Sequence, residues 1–113
     1  MRVVKGKPMF YEAENVKAAR SKLLAHLAEH RPEEPITGPV ALTVSWEFPK
    51  GPHRDGEWRC TKPDTDNLQK LLKDVMTHLR YWKDDAQVCK ELVTKRWAKT
   101  PGIYIKIEEL RSI

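Results

Sequence analysis

The stretch Asp66-Asn67-Leu68-Gln69-Lys70-Leu71-Leu72-Lys73-Asp74-Val75-Met76-Thr77-His78-Leu79-Arg80 decides the fold class. Leu68, Leu71, Leu72, Val75, Met76 and Leu79 recur at spacings of three and four, which places them on one helical face through three turns. The spacing predicts a helix from Thr65 or Asp66 to Arg80. Asp66 followed by Gln69 three residues later fits a capping box. Pro63 stands just outside and holds Lys62 extended. An amphipathic helix needs an apolar surface to cover, and the flanking sequence supplies one.

On the N-terminal side, residues 49–61 carry Pro49, Gly51, Pro52 and Gly56 and read as a polar, mobile loop. Before it, 40–48 alternates, with Val40, Leu42, Val44 and Trp46 pointing one way, as in a half-buried strand. Residues 33–39 form a loop, and 12–30 a helix with the stripe Val16, Ala19, Leu23, Leu24 and Leu27, stopped ahead of Pro32. On the C-terminal side, 81–85 turns into a strand over 87–97 whose core candidates are Val88, Leu92 and Val93. Its imperfect alternation suggests a bulge. Pro101-Gly102 makes a turn, and Ile103, Ile105 and Ile107 alternate in a final strand. The expected fold is α+β: one domain over 1–113, with two main helices packed on a small mixed or antiparallel sheet, the last two strands paired as a hairpin.

With 40% hydrophobic residues and 33% charged ones, the chain is expected to fold and stay in solution rather than remain disordered. It has no apolar run long enough for a membrane span, and Met1-Arg2-Val3-Val4-Lys5 lacks the apolar core of a secretory signal, so a cytoplasmic location without membrane partners is expected. Cys60 and Cys89 lack metal-ligand spacing and read as free thiols. His26 and His30, one helical turn apart, have no second ligand motif beside them. The net charge of +5 favours phosphate-bearing partners. Lys50, Arg54, Arg59 and Lys62 cluster in the loop just before the long helix and are candidates for DNA contact.

Five acids lie between positions 64 and 85: Asp64, Asp66, Asp74, Asp84 and Asp85. Asp64 and Asp66, two apart in extended chain, can face one cation at the helix N-terminus. Asp84-Asp85 follows the far end of a helix about 22 Å long, so for the groups to meet the next strand runs back along the helix, a second subunit contributes, or part of 77–83 folds back; the sequence leaves all three routes open. A plainer reading stands beside this one. Asp66 caps the helix, Asp66, Lys70 and Asp74 form an exposed ladder of ion pairs, and Asp84-Asp85 is an ordinary turn. An EF-hand loop is excluded, because Gln69 and Val75 occupy the positions of its glycine and its bidentate glutamate.

Lys62-Pro63-Asp64-Thr65-Asp66-Asn67-Leu68-Gln69-Lys70, followed by Trp82-Lys83-Asp84-Asp85-Ala86-Gln87-Val88, resembles the RusA family of Holliday junction resolvases. The likeness lies in Pro-Asp-x-Asp-Asn-x-x-Lys, an acid in the helix (Asp74), and Asp-Asp-x-Gln-Val at the expected separation. The resemblance implies a homodimeric crossover junction endodeoxyribonuclease of DNA recombination and repair. Such an enzyme resolves four-way junctions by paired symmetric nicks, using magnesium, for which manganese can stand in. It implies catalytic roles for Asp64, Asp66, Lys70 and Asp85, with Asp84 a neighbour in the metal-binding acidic cluster. The family begins with a strand and a Gly-x-Pro segment. Val3-Val4 with Lys5-Gly6-Lys7-Pro8 reads as its shortened remnant, with the start of the chain incomplete or different.

In mechanism, Asp64, Asp66 and Asp85 hold one or two ions that activate water, and Lys70 points a cation at the phosphate or positions that water. Crowded carboxylates repel without a cation, so magnesium should stabilise the fold. Trp58, flanked by charge, stacks on DNA or sits in the core; Trp46, Trp82 and Trp97 read as core or interface. The dimer uses the apolar face of the long helix or the strand hairpin. Two alternatives remain: a non-catalytic basic nucleic-acid-binding module, and a nuclease for other branched DNA.

Overall fold

The computed structural model describes residues 2–5 and 16–111. In chain order the elements are β1 (Arg2–Lys5), α1 (Val16–Ala28), β2 (Val40–Pro49), α2 (Thr65–His78), a short 3-10 helix (Asp85–Gln87), β3 (Val88–Ala98) and β4 (Gly102–Glu109). The fold is α+β, as expected, with two helices against one mixed sheet. The strand at Arg2–Lys5 pairs antiparallel with β4, so the short N-terminal segment is part of the sheet. Residues 12–15 of the expected first helix and 6–8 of the expected remnant lie outside the described residues.

The sheet order is β1-β4-β2-β3. The expected β3–β4 hairpin is not formed. β2 lies between the two, parallel to β3 and antiparallel to β4. The reason is compositional. β2 alternates Val40, Leu42, Val44, Trp46 and Phe48 along one face, all buried, and takes a central place. β3 carries Lys90, Glu91, Lys95 and Arg96 and takes the edge, where charged side chains are tolerated and guard against further pairing. The unit β2–α2–β3 is then a β-α-β crossover, which parallel neighbours require.

The register passes from Val40↔Val88 to Ala41↔Lys90, so Cys89 is the extra residue of the expected bulge. Neighbours on a strand point to opposite faces, so Leu92 and Val93 cannot both be core. Val93 packs against the core, and Leu92 is 60% exposed, contrary to the sequence reading. Both cysteines are free and exposed.

One apolar cluster fills the space between the sheet and the helices. The α2 stripe, Leu68, Leu71, Leu72, Val75, Met76 and Leu79, is wholly buried, as its spacing requires. Each such side chain contributes about 1.5–3 kcal/mol by leaving water. From α1, Ala19, Leu23 and Leu27 enter the same cluster. Tyr81 Oη donates to the Leu27 carbonyl (2.5 Å) and fixes the end of α1 against the end of α2.

α2 stops at His78, two residues short of the expected end. Arg80 adopts φ 65°, and the Arg80 and Tyr81 N–H groups donate back to Thr77 O and Met76 O (3.0 Å each), a Schellman termination. Its N-cap is Asp64, whose side chain makes no capping bond. The capping box expected at Asp66 and Gln69 is absent, because Gln69 is buried and points inward. No helix among the described residues is long and apolar enough to cross a membrane.

Candidate active site

The chain from α2 into β3 determines which acids can meet. After the 3-10 helix, β3 runs back along α2, one of the routes the sequence left open for the two acidic segments to share a site. Gln69 Nε2 donates to Glu91 Oε2 (2.7 Å), and Lys73 Nζ to Glu91 Oε1 (3.0 Å). Farther along, Lys95 Nζ donates to the carbonyls of Thr61 (2.6 Å) and Pro63 (2.7 Å), immediately before Asp64. Between α2 and β3 lies an open groove of about 380 Å³. Asp66, Lys70 and Asp85 line it together with Gln69, Lys73 and Glu91.

Of the expected catalytic residues, the structure therefore brings Asp66, Lys70 and Asp85 to one groove. Asp66 and Lys70 are exposed and one helical turn apart on α2. Asp66 Oδ1 accepts only a short-range bond, from the Asn67 N–H (3.0 Å). Asp85 sits in the 3-10 turn, which Gln87 fixes. Gln87 Oε1 accepts from the Lys83 and Asp84 N–H groups (2.9 and 3.0 Å), and its Nε2 donates to Ile36 O and Gly38 O (2.9 Å each).

Asp64 is exposed at the N-cap and is not part of the groove lining. Asp84 acts as a cap: its Oδ1 accepts from the Ala86 N–H (2.9 Å) within a complete capping box with Gln87. Among the described residues, no three His, Cys, Asp or Glu side chains lie close enough to hold a metal ion. The crowded cage expected of Asp64, Asp66 and Asp85 is not assembled within one chain. What the groove does offer is three carboxylates along its lining, of which Glu91 is engaged by Gln69 and Lys73, while Asp66 and Asp85 are exposed. That donor set fits magnesium, which keeps several waters and takes one or two carboxylates beside phosphate oxygens. It does not fit a closed all-protein cage.

Sequence reasoning missed Gln69, Lys73 and Glu91. Gln69 had a signal: a polar residue beside Leu68, at the position that also faces Thr65 and Leu72. It is 4% exposed and accepts from Trp46 Nε1 (2.7 Å) while donating to Glu91. Lys73 and Glu91 had none, because their pairing is long-range.

The basic loop is less mobile than its composition suggests. Residues 56–59 run beside the free edge of β3. Gly56 N donates to Trp97 O (2.8 Å), Trp97 N to Glu57 O (2.8 Å) and Arg59 N to Lys95 O (3.2 Å). The His53 ring stacks on Trp97 with centroids 4.1 Å apart, and its Nδ1 lies 2.6 Å from Glu57 Oε2. The Arg54 backbone N–H and the His53 side chain together hold the Glu57 carboxyl below the usual glutamate range.

The four expected DNA contacts divide. Arg54 and Lys62 are exposed. Lys50 Nζ leans on the carbonyls of Gly51 (3.4 Å) and His53 (3.5 Å). Arg59 has a structural post: its guanidinium lies 4.2 Å from the Phe48 ring centroid and 4.5 Å from that of Trp97, and Nη2 donates to Lys62 O (2.5 Å). Trp46 and Trp82 are core, Trp97 is half-buried, and Trp58 is on the surface.

An α+β domain with acids and a lysine in a groove beside a basic loop defines a class of proteins suited to phosphodiesters. The family model described as "Endodeoxyribonuclease RusA" matches residues 1–108, and the chain belongs to that family. It is 39% identical over 88 residues to the "Crossover junction endodeoxyribonuclease rusA" of Lactococcus phage r1t, an alignment covering 75% of this chain. It is 38% identical over 95 residues to the "Uncharacterized protein YqaN" of Bacillus subtilis (strain 168), covering 74% of this chain. In both cases the match spans 66% of the relative's length, just under two thirds.

Proposed function

We propose that the chain is a magnesium-dependent endodeoxyribonuclease that resolves four-way DNA junctions by paired nicks in recombination and repair. The observation that carries this reading is the meeting of Asp66, Lys70 and Asp85 in one groove, from segments separated by a whole helix, in a member of the RusA family. Asp66 and Asp85 would hold the ion, with Asp64, whose side chain is free of capping duty, as a further ligand. Asp84 is the weakest of the expected ligands, since one of its oxygens caps the turn.

When bound, the ion supplies an activated water and offsets charge on the leaving oxygen; manganese satisfies the same oxygen ligands. The protein's own groups do the rest. Lys70 presents a cation to the scissile phosphate in the groove. Gln87 holds the Asp85 turn, and Lys73 with Gln69 holds Glu91 at the groove wall, so the phosphate meets a fixed floor. Paired nicks need two sites, so the reading includes a two-fold dimer. The apolar face of α2 is consumed by the core, which leaves the sheet face opposite α2, where Leu92 is exposed, as the interface.

The deciding experiment incubates a mobile four-way junction with the wild type and with Asp66→Asn, with and without magnesium. Paired nicks by the wild type with magnesium alone, and retained junction binding by an inactive Asp66→Asn, are expected. A cutting Asp66→Asn protein would sink the assignment. The absence of a three-acid cluster among the described residues favours a second reading, a basic nucleic-acid-binding module without catalysis. It predicts junction binding with no cleavage under any metal. A panel of flaps and forks separates junctions from other branched substrates.

A further inference from the structure

Trp58 has no place in the catalytic reading, and it is unlike the other tryptophans. It is 61% exposed, the most exposed large hydrophobic side chain among the described residues. Single exposed rings are common on protein surfaces, and what sets this one apart is how firmly it is held. The ring is not held out by a floppy loop. Its backbone bridges Arg96 of β3, and the flanking bonds of Gly56, Glu57 and Arg59 lock the segment to that strand. The Arg96 guanidinium lies 4.3 Å from the ring centroid and covers one side, leaving the exposed remainder of the ring to solvent.

The surroundings select the occupant by charge. Arg54, Lys62 and Lys99 are exposed near this segment. The two acids of the loop are exposed but engaged locally: Asp55 Oδ1 accepts from the Lys99 N–H (2.7 Å), and Glu57 is bound to His53 and to the Arg54 N–H. A fixed, arginine-backed aromatic face in a segment where cations outnumber acids suits a flat ring attached to a polyanion. Base–aromatic stacking beside a basic track is a general mode of single-strand binding.

We propose that Trp58 is a stacking platform for an unpaired nucleobase, with Arg96 as the residue that orients it. The proposal rests on the DNA-binding part of the function above. Only six residues separate Trp58 from Thr65 of the groove lining, at most about 25 Å of chain, so a base stacked there lies within a few nucleotides of the groove. Paired bases inside a duplex present no free face. The platform therefore distinguishes opened strands at a branch point from continuous duplex.

The test measures binding of wild type, Trp58→Ala and Trp58→Phe by fluorescence anisotropy in EDTA, so that cleavage plays no part. The probes are a labelled single-stranded oligonucleotide and a fully paired duplex of the same length. Trp58→Ala should weaken single-strand binding by about ten-fold or more, the usual worth of one stacked base. Duplex binding should change by less than about two-fold, and Trp58→Phe should keep most of the affinity. Equal affinity of Trp58→Ala and wild type for the single strand overturns the proposal, and so does an equal loss on both probes. A Trp58→Ala effect on sedimentation with DNA affinity intact also overturns it, in favour of a protein partner. If the expected pattern appears in a protein that cuts nothing, the platform stands and the nuclease reading falls.

Discussion

Gln69 links the core to the groove. Its amide accepts from the buried Trp46 indole and donates to Glu91, so it completes a hydrogen bond inside the core and positions a carboxylate at the groove wall. Gln69→Leu keeps the volume but leaves the Trp46 N–H without its partner, at a cost of about 1–3 kcal/mol. Urea unfolding should show this loss, and no change in midpoint would mean that the bond has no energetic role. Glu57 acts on the loop in a different way. Its folded-state pKa lies below the usual value of 4.5, first through the Arg54 N–H and then through the His53 side chain. The ionised carboxylate therefore supports the loop above pH 4.5, and that support is lost as pH falls through the lowered value. Amide exchange at Gly56 and Trp97 should quicken relative to the core strands on acidification through this window, and Glu57→Gln should remove the pH dependence. A residue-level reading of the sequence singled out Asp66 and Asp85 of the groove because each carries its chemistry in its own side chain. It did not find the roles of Gln69 or Glu91, which arise only from partners eighteen or more positions away.

Helix α2 and its two ends organise the site. The terminating Arg80 sits at φ 65°, a conformation that costs side-chain-bearing residues about 1 kcal/mol and glycine almost nothing. Arg80→Gly should raise stability by about 0.5–1 kcal/mol in thermal or urea unfolding, with no effect on DNA cleavage because Arg80 is outside the groove lining. A destabilised variant would show that the arginine side chain outweighs the backbone strain. Beyond this turn, Gln87 makes four hydrogen bonds that fix the Asp85 segment to residues 36–38. Gln87→Ala should cost about 2 kcal/mol and lower cleavage at saturating DNA, with junction binding retained, because Asp85 loses its mooring. A variant with full turnover would show that the turn holds its shape without the glutamine. At this scale the sequence was largely legible: the apolar periods of α2, β2 and β4 placed these elements correctly. The two misplacements had physical causes. Capping was assigned from spacing to Asp66 and Gln69, but tertiary burial claimed the glutamine, and the box formed instead at Asp84 and Gln87. The β3–β4 hairpin was inferred from a short connection, although the strand–helix–strand order of β2, α2 and β3 already signalled a parallel pair with its own crossover.

At the scale of the whole molecule, the sheet carries the core on one face, and the edge strand β3 borders both of the surfaces proposed to act on DNA. The groove lies between β3 and α2, and the basic loop follows the other half of its free edge. The chain left this arrangement as one route among several, since it depends on β3 running back along α2. The net charge of +5 was readable, but not which cations are free to meet phosphate. Arg59 is engaged with Phe48, Trp97 and Lys62, so neutralising it confounds lost charge with a lost loop. Arg54 and Lys62 are exposed, and their removal leaves the packing alone. Each phosphate contact contributes about 0.9 to the slope of log affinity against log salt on duplex DNA. The double variant Arg54→Gln/Lys62→Gln should therefore flatten that slope by nearly 2, weaken binding of all sequences alike, and leave the melting temperature within about 2 °C of wild type. Titration of a four-way junction in increasing potassium chloride gives the slope directly. An unchanged slope would move the phosphate track away from the loop, to the lysines of α2 that face the groove.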